Sequence, residues 1–419
     1  MSRWPGAWSD VLARVVDETH LVTGDQLGTM LDSVIRDVGL TADILLVDLP
    51  QQLLTPISPQ PVTPVQVDGT VAGRSYQFGE ILAVNDDSGH RLLWVPMLDG
   101  TERLGVLRIG LTEEVVDDVE LRARCWSLAG MMGHIVMTKI VYSDRLRSLR
   151  YNTPLSVPSE LLWQLLPPRT FATDQVVVTA LLEPPDQVAG DAYDYSANAT
   201  TLDLAIFDAV GHDMRACLTT TLAMTAIRNA RRGGETDLAT LASRASDLVR
   251  AQPGPLRFVT AVLARLDTET GVLQYLLAGH PAPLLVRSGR VVKELTHHRR
   301  HPLGLPWADS AEVIATEQLE PGDRLLLYSD GIVEARNASR EFFGEQRLVD
   351  FTERASLAEL SAPETLRRLV AAVLAHQDGH LQDDATLLMI DWSANSHRRM
   401  CPEPMARPGK QGSGLITRP

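Results

Sequence analysis

The chain has 419 residues, of which 44% are hydrophobic and 22% charged, a composition typical of globular proteins and a length that predicts two or three domains. The 39 Lys and Arg residues against 53 Asp and Glu give a net charge of −14, which disfavours nucleic acid or an anionic membrane as the main partner. The three cysteines, Cys125, Cys217 and Cys401, form no disulfide or zinc pattern. With no apolar signal segment and no run of about 18 apolar residues, we expect a cytoplasmic protein.

The first part of the chain has the pattern of a small α/β domain. Two amphipathic stretches within residues 1–40 predict short helices, and apolar runs at Asp43–Asp48, Arg91–Met97 and Glu102–Ile109 predict strands. A long helical stretch over residues 114–150 follows them. Along the chain, short helices before a small sheet and a long helix after it are typical of an α/β sensor domain.

Two phrases in this region, Trp94-Val95-Pro96-Met97 and Arg103-Leu104-Gly105-Val106-Leu107, resemble those of GAF domains. GAF domains are small modules that bind ligands or signals. The resemblance implies a GAF-like sensor domain with N-terminal helices over residues 1–140. A domain used only for dimerisation is the alternative, and the residues name no ligand.

Residues 141–168 have the pattern of a helical linker. Its second half, Ser159–Leu166, is amphipathic and stops at Pro167-Pro168, where a helix must end or kink. A long helix between a sensor and an effector, such as the stretch over residues 114–150, often pairs with its twin, so a homodimer is a candidate state.

The rest of the chain, residues 169–393, alternates strand and helix patterns. Short turns between consecutive strands favour antiparallel hairpins, and therefore an α+β sandwich flanked by helices rather than a doubly wound sheet. The tail, residues 394–419, is rich in Pro, Gly, Arg and Ser, and is expected to be disordered. The predicted strands are Val176–Leu182, Leu202–Asp208, Arg257–Leu266, Val272–Leu277, Pro283–Val286, Arg324–Ser329 and Thr386–Trp392.

Acidic residues stand at the ends of several of these strands. Asp208 ends the central one, and Asp191, Asp330 and the pair Asp383-Asp384 lie beside other apolar runs. A carboxylate at the end of a strand is held rigidly, which suits the binding of a hard divalent cation. Aspartate beside glycine is common in turns, so each of these aspartates alone would be structural more often than catalytic. Together they predict a two-metal phosphatase site.

Motifs spread over residues 159–392 resemble those of the PPM-type (protein phosphatase 2C-like) serine/threonine phosphatases, in particular their bacterial SpoIIE branch. Singly each motif is weak, but together they follow the order and spacing of that family. The matching phrases are Leu165-Leu166-Pro167-Pro168, Val188-Ala189-Gly190-Asp191-Ala192-Tyr193-Asp194, Phe207-Asp208-Ala209-Val210-Gly211-His212, Phe258-Val259-Thr260, Ala278-Gly279-His280-Pro281, Tyr328-Ser329-Asp330-Gly331 and Asp383-Asp384-Ala385-Thr386.

The resemblance implies a site with two Mn or Mg ions. Asp208 would bridge them, with the carbonyl oxygen of Ala209 as a further ligand, and Asp330 and Asp383 would bind one ion while Asp191 binds the second. Water activated by the two ions would attack phosphorus directly, without a covalent phospho-enzyme. Two aspartates would support the ligands: Asp384 as their partner, and Asp194 by holding the loop or a water.

Two histidines are further candidates for the site. His212 follows the bridging aspartate and is expected either to act in catalysis, as a hydrogen-bond or proton donor, or merely to cap a helix. His280 is expected to be structural. Gly211 and Gly331 are expected where the backbone is tight near the ions. The chain departs from the family pattern at Ala189 and Asp213, where glycine is common, and no arginine suited to gripping phosphate is evident.

The sequence therefore predicts a metal-dependent protein serine/threonine phosphatase. By the resemblance, its substrate would be a phosphorylated anti-sigma-factor antagonist, and the paired helices near residues 213–252 would act as a regulatory switch. One alternative is a catalytically inactive phosphatase-fold scaffold. Another is a hydrolase of small phosphoesters, which the absence of a phosphate-binding loop pattern disfavours.

Overall fold

The computed structural model describes residues 5–58, 60, 62–86, 88–151, 156–183, 190–211, 213–297, 299–305, 314–393 and 400. Two compact units divide the chain near residue 152. In the described residues no helix is long and apolar enough to cross a membrane. The tail predicted to be disordered falls, apart from residue 400, outside the described residues.

The N-terminal unit is an antiparallel sheet covered by helices. Its strands follow the order β3-β2-β1-β6-β5-β4 and its largest core packs α1, α2 and α4 on one face, while α3 covers a smaller cluster around Tyr76. Its elements are α1 Pro5–Thr19, α2 Leu27–Ile35, β1 Leu40–Val47, β2 Leu53–Pro56, β3 Val65–Gln66, α3 Val71–Phe78, β4 Leu82–Asn85, β5 Arg91–Asp99, β6 Glu102–Leu111, α4 Val119–Ile140 and α5 Asp144–Arg150.

The three strands predicted here are present as β1, β5 and β6, which confirms an α/β domain in this part of the chain. The GAF-like identity stays a prediction. Within the predicted linker, the described residues include two helices that pack in different cores. Leu146 and Leu149 of α5 are buried in the N-terminal core, whereas Leu162 of the next helix, α6 (Val157–Leu165), is buried in the C-terminal core.

The C-terminal unit holds two sheets and the helices that flank them. After α6, its elements are β7 Thr170–Ala172, β8 Val176–Glu183, β9 Asp191–Ala197, β10 Thr201–Ala209, α7 Met214–Arg232, α8 Leu238–Arg250, β11 Val259–Asp267, β12 Val272–Ala278, β13 Leu284–Arg287, β14 Arg290–Glu294, β15 Arg299–Arg300, β16 Ala315–Gln318, β17 Asp323–Tyr328, α9 Asp330–Val333, α10 Gly344–Leu357, α11 Ala362–His376 and β18 Ala385–Trp392.

These strands form a sandwich, as predicted. The first sheet has the order β15-β12-β11-β10-β9, with β16 also paired to β12, and the second has the order β14-β13-β17-β18-β8-β7. Alternation along β18 shows the layering: Leu388 and Ile390 belong to the core between the sheets, whereas Leu387 and Met389 belong to the core beneath α10 and α11. On the first sheet, α7 and α8 pack against the outer face.

The main error of the strand prediction concerns β9. The sequence pattern placed Asp191 in a turn, but it begins a strand that pairs with β10 over seven residues. The segment Asp-Ala-Tyr-Asp-Tyr-Ser-Ala lacks an aliphatic run, so periodicity did not reveal it. Its two aspartates are both buried, and their surroundings explain why a strand tolerates them.

Candidate metal and phosphatase site

One row of residues crosses the inner face of the first sheet. Asp208 on β10 pairs directly with Asp191 on β9 and with Thr260 on β11. Partners in an antiparallel ladder point to the same face, so these three side chains share the face that looks into the sandwich. Asp191 is only 2% exposed, and Asp208 is half-buried.

The second sheet contributes carboxylates at the ends of two adjacent strands. Asp330 follows β17, and Asp383 and Asp384 precede β18. The Ser329 hydroxyl donates to the carbonyl oxygen of Asp384 at 3.2 Å and accepts from the backbone N–H of Thr386 at 3.0 Å. These bonds hold the two strand ends together, and with them their carboxylates.

Gly331 allows this close approach of the chain. A Cβ atom at this position would lie 2.0 Å from the carbonyl oxygen of Asp384, a distance that no side chain can occupy. Gly211 has a different reason, since its φ of +90° lies in the left-handed region that favours glycine. Both glycines therefore meet backbone requirements close to the acidic residues.

Asp384 connects the two sheets. Its Oδ2 accepts hydrogen bonds from the backbone N–H groups of Gly190 and, at 3.3 Å, of Asp191. The Thr220 hydroxyl of α7 donates to the carbonyl oxygen of Gly190. The start of β9 is thus held from the second sheet and from the helix, which places Asp191 beside the other carboxylates.

Burial and the charges of acidic neighbours raise the pKa values of these carboxylates. Burial, together with the charges of Asp330, Asp383 and Asp384, raises the pKa of Asp208 to about 7. Burial and then Asp383 raise the pKa of Asp384 to about 7, and the pKa of Asp330 is raised by the same two causes. Burial, with Asp208 and Asp384 nearby, raises the pKa of Asp191 well above its ordinary value.

The donor set fits a hard divalent cation. Among the described residues, Asp191 Oδ2 and Asp384 Oδ1 are buried oxygen atoms without a hydrogen-bond partner, and such atoms are costly unless something binds them. Within the described ranges of the chain, no three His, Cys, Asp or Glu side chains are placed so that they could hold one metal ion.

Asp194 has a different role from the one predicted. It lies three residues along β9 from Asp191, on the opposite face, and its buried carboxylate binds Arg228 at 2.6 Å and Arg231 at 3.0 Å, both from α7. Arg228 also donates to the carbonyl oxygen of Leu165 at the end of α6, at 2.7 Å. Asp194 therefore ties helices to the sheet rather than supporting the metal ligands.

The loop after Asp208 contains the remaining predicted residues. Ala209 is the last residue of β10, with its N–H donating to Gly190 at 3.2 Å. His212 lies outside the described residues. Asp213 caps α7, because its carboxylate accepts from the N–H groups of Arg215 and Ala216 at 3.0 and 2.9 Å, so this departure from glycine has a local structural explanation.

Sequence reasoning assigned no role to Thr260, although the motif that contains it was recognised. The structure places its hydroxyl 3.5 Å from Asp208 Oδ2 and 2.7 Å from His280 Nδ1. His280 is 1% exposed, and burial lowers its pKa to about 3, so the ring is neutral. The motif order was a usable signal for both residues, but the contact between them depends on the fold.

Residues 198–393 match the sequence model of the family described as Stage II sporulation protein E (SpoIIE). Protein IcfG from Synechocystis sp. is 29% identical over 148 residues, which cover 35% of this chain and 22% of IcfG. Phosphoserine phosphatase RsbU from Bacillus subtilis is 24% identical over 223 residues, which cover 51% of this chain and 62% of RsbU. The matched regions thus span less than two thirds of either relative.

Solved structures show likeness over the same half of the chain. The RsbU and RsbW domains of Rv1364c from Mycobacterium tuberculosis superpose with a TM-score of 0.44 at 27% identity, covering 52% of this chain and 60% of that one. The SiaA-PP2C domain of Pseudomonas aeruginosa superposes with a TM-score of 0.46 at 24% identity, covering 56% and 91%.

Proposed function

We propose that this chain, whose C-terminal unit belongs to the SpoIIE branch of the PPM-type phosphatases, is a metal-dependent protein serine/threonine phosphatase. The observation that carries the proposal is the meeting of five carboxylates from two sheets, none of which forms an ion pair with a cationic side chain among the described residues. An acidic pocket of this kind repels a phosphate group unless cations are bound in it.

Two Mn or Mg ions would be held by Asp208, the carbonyl oxygen of Ala209, Asp191, Asp330 and Asp383. When bound, such ions supply an activated water and stabilise the charge that develops on the phosphoryl oxygens. The protein's own part is to fix the ligands: Asp384 holds the start of β9, and Ser329 holds the strand ends that carry Asp330 and Asp383.

The proposed substrate class is a phosphoserine or phosphothreonine protein, with a phosphorylated anti-sigma-factor antagonist as the specific candidate. The family match and the likeness to RsbU, itself a phosphoserine phosphatase, support the reaction class. The N-terminal unit would act as the sensor, and the cytoplasm as the compartment. An inactive scaffold is disfavoured because all four predicted ligand aspartates are present. Burial and the charges of Asp208, Asp330 and Asp383 raise the pKa values of neighbouring ligand candidates.

The test is hydrolysis of p-nitrophenyl phosphate and of a phosphoserine protein by the full chain, with and without Mn²⁺. We expect activity with Mn²⁺ and its loss in EDTA, and Asp208→Ala should lower the activity by at least about a thousandfold. Circular dichroism should show the variant folded. A wild-type protein that stays inactive with Mn²⁺ and with Mg²⁺ would favour the scaffold.

A further inference from the structure

One histidine spans the space between the two sheets beside the acidic site. His280 follows β12 and is buried, with Nδ1 2.7 Å from Thr260 Oγ1 on the first sheet and Nε2 3.1 Å from the carbonyl oxygen of Tyr328 on the second. Both distances are those of good hydrogen bonds. The side chain thus connects the sheets through both ring nitrogens.

The chemistry of the partners fixes the direction of these bonds. The Tyr328 carbonyl oxygen only accepts, so Nε2 must carry the ring proton and donate it. In a neutral ring Nδ1 then only accepts, and the Thr260 hydroxyl must donate to it. That hydroxyl has one proton, so it offers only lone pairs to Asp208 Oδ2, which is 3.5 Å away.

Both hydrogen-bond partners of the His280 ring lie next to candidate metal ligands. Thr260 is the direct strand partner of Asp208, and Tyr328 stands two residues before Asp330. The separation of these two carboxylates therefore depends on the distance that the histidine ring spans. Because Thr260 gives its proton to His280, its hydroxyl does not occupy a lone pair of Asp208 Oδ2.

We propose that His280 and Thr260 are positioning residues that set the spacing of Asp208 and Asp330 and keep the lone pairs of Asp208 free for a divalent cation. This inference rests on the proposed function, since it assigns a role within the same site. Outer partners of metal ligands typically change metal affinity by about 10- to 100-fold when they are removed.

The test measures Mn²⁺ affinity directly, from the electron paramagnetic resonance signal of free Mn²⁺ titrated with the full chain. Thr260→Val keeps the shape of the side chain but cannot donate to His280, and it should weaken Mn²⁺ binding by about 10-fold or more. Thr260→Ser keeps the hydroxyl and should bind close to the wild-type affinity. His280→Phe fills similar space without ring nitrogens and should match Thr260→Val.

Thr179→Val is the matched control. Thr179 is 3% exposed in the middle of β8, in the same sandwich, and its hydroxyl has no hydrogen-bond partner among the described residues. It should leave Mn²⁺ affinity unchanged even where it changes the melting temperature. A purely structural role for Thr260 would lower only the melting temperature.

Two results would contradict the inference in distinguishable ways. If the wild type binds Mn²⁺ and folded Thr260→Val binds it equally well, the positioning role is wrong while the proposed function stands. If the wild type binds no Mn²⁺, the proposed function is wrong, and the positioning role with it.

Discussion

Two groups of buried carboxylates lie on opposite faces of the same pair of strands. On the inner face, Asp191 and Asp208 meet the carboxylates of the second sheet. On the helix face, Asp194 binds Arg228 and Arg231, and Asp203 binds Arg265 at 2.7 Å. On the helix face, the carboxylates bind guanidinium groups. On the inner face, burial and acidic neighbours raise the pKa values of Asp191 and Asp208.

The difference separates structural acids from ligand candidates. A buried carboxylate is stable when a cation lies beside it, and arginine supplies that cation permanently. Within the part of the chain that the structure describes, no arginine pairs with the inner group, so its stabilisation is expected from a bound cation or from protonation. Burial and sequence alone do not tell the two groups apart, since Asp191 and Asp194 are both nearly inaccessible to solvent and three residues apart.

The largest stability effect is expected on the helix face. Asp194→Asn leaves two arginines without their anion, and breaking such a pair costs about 3 kcal/mol or more. Calorimetry of the full chain in EDTA at pH 7.5 should show the C-terminal unit melting roughly 6–12 °C lower. Asp208→Asn is the control with the opposite outcome, an unchanged or higher melting temperature. Equal destabilisation by both variants would remove the distinction between the faces.

The next effect concerns pH, and it is expected from the inner face. Since the folded pKa values of Asp208 and Asp384, both about 7, exceed their ordinary values, the cation-free fold binds more protons than the unfolded chain. Its stability should therefore fall as pH rises from about 4 to about 7. Added Mn²⁺ should raise the melting temperature more at pH 7.5 than at pH 5. The same Mn²⁺ shift at both pH values would contradict this.

The smallest effect is expected for an exposed pair. Arg244 on α8 lies 3.7 Å from Glu235 with 57% of its side chain exposed, and exposed pairs contribute little. Arg244→Ala should change the melting temperature by less than about 1 °C and leave Mn²⁺ binding unchanged. A larger shift would mean that arginines on these helices matter for reasons other than burial of their partner.

Much of the C-terminal unit was predictable because its strands carry aliphatic runs. The strands predicted around Asp208, before Asp330 and after Asp384 are present as β10, β17 and β18. Strand β9 was missed because buried aspartates interrupt its apolar pattern. Whether a strand can bury these aspartates depends on partners far along the chain, such as Arg228 for Asp194. The motifs contained Thr260 and His280, but their shared hydrogen bond joins residues that only the sandwich brings together.

The sequence by itself determined the α+β class, the order of the strands that carry acidic ends, and the residue types that a hard cation prefers. These follow from local periodicity and from the chemistry of single side chains. Only the tertiary structure decided which face each carboxylate occupies, and therefore whether an arginine or other carboxylates surround it. That choice depends on strand pairing, where a one-residue change in register would exchange the two faces. It depends also on the packing of α7, whose Arg228 and Arg231 lie more than thirty positions from Asp194.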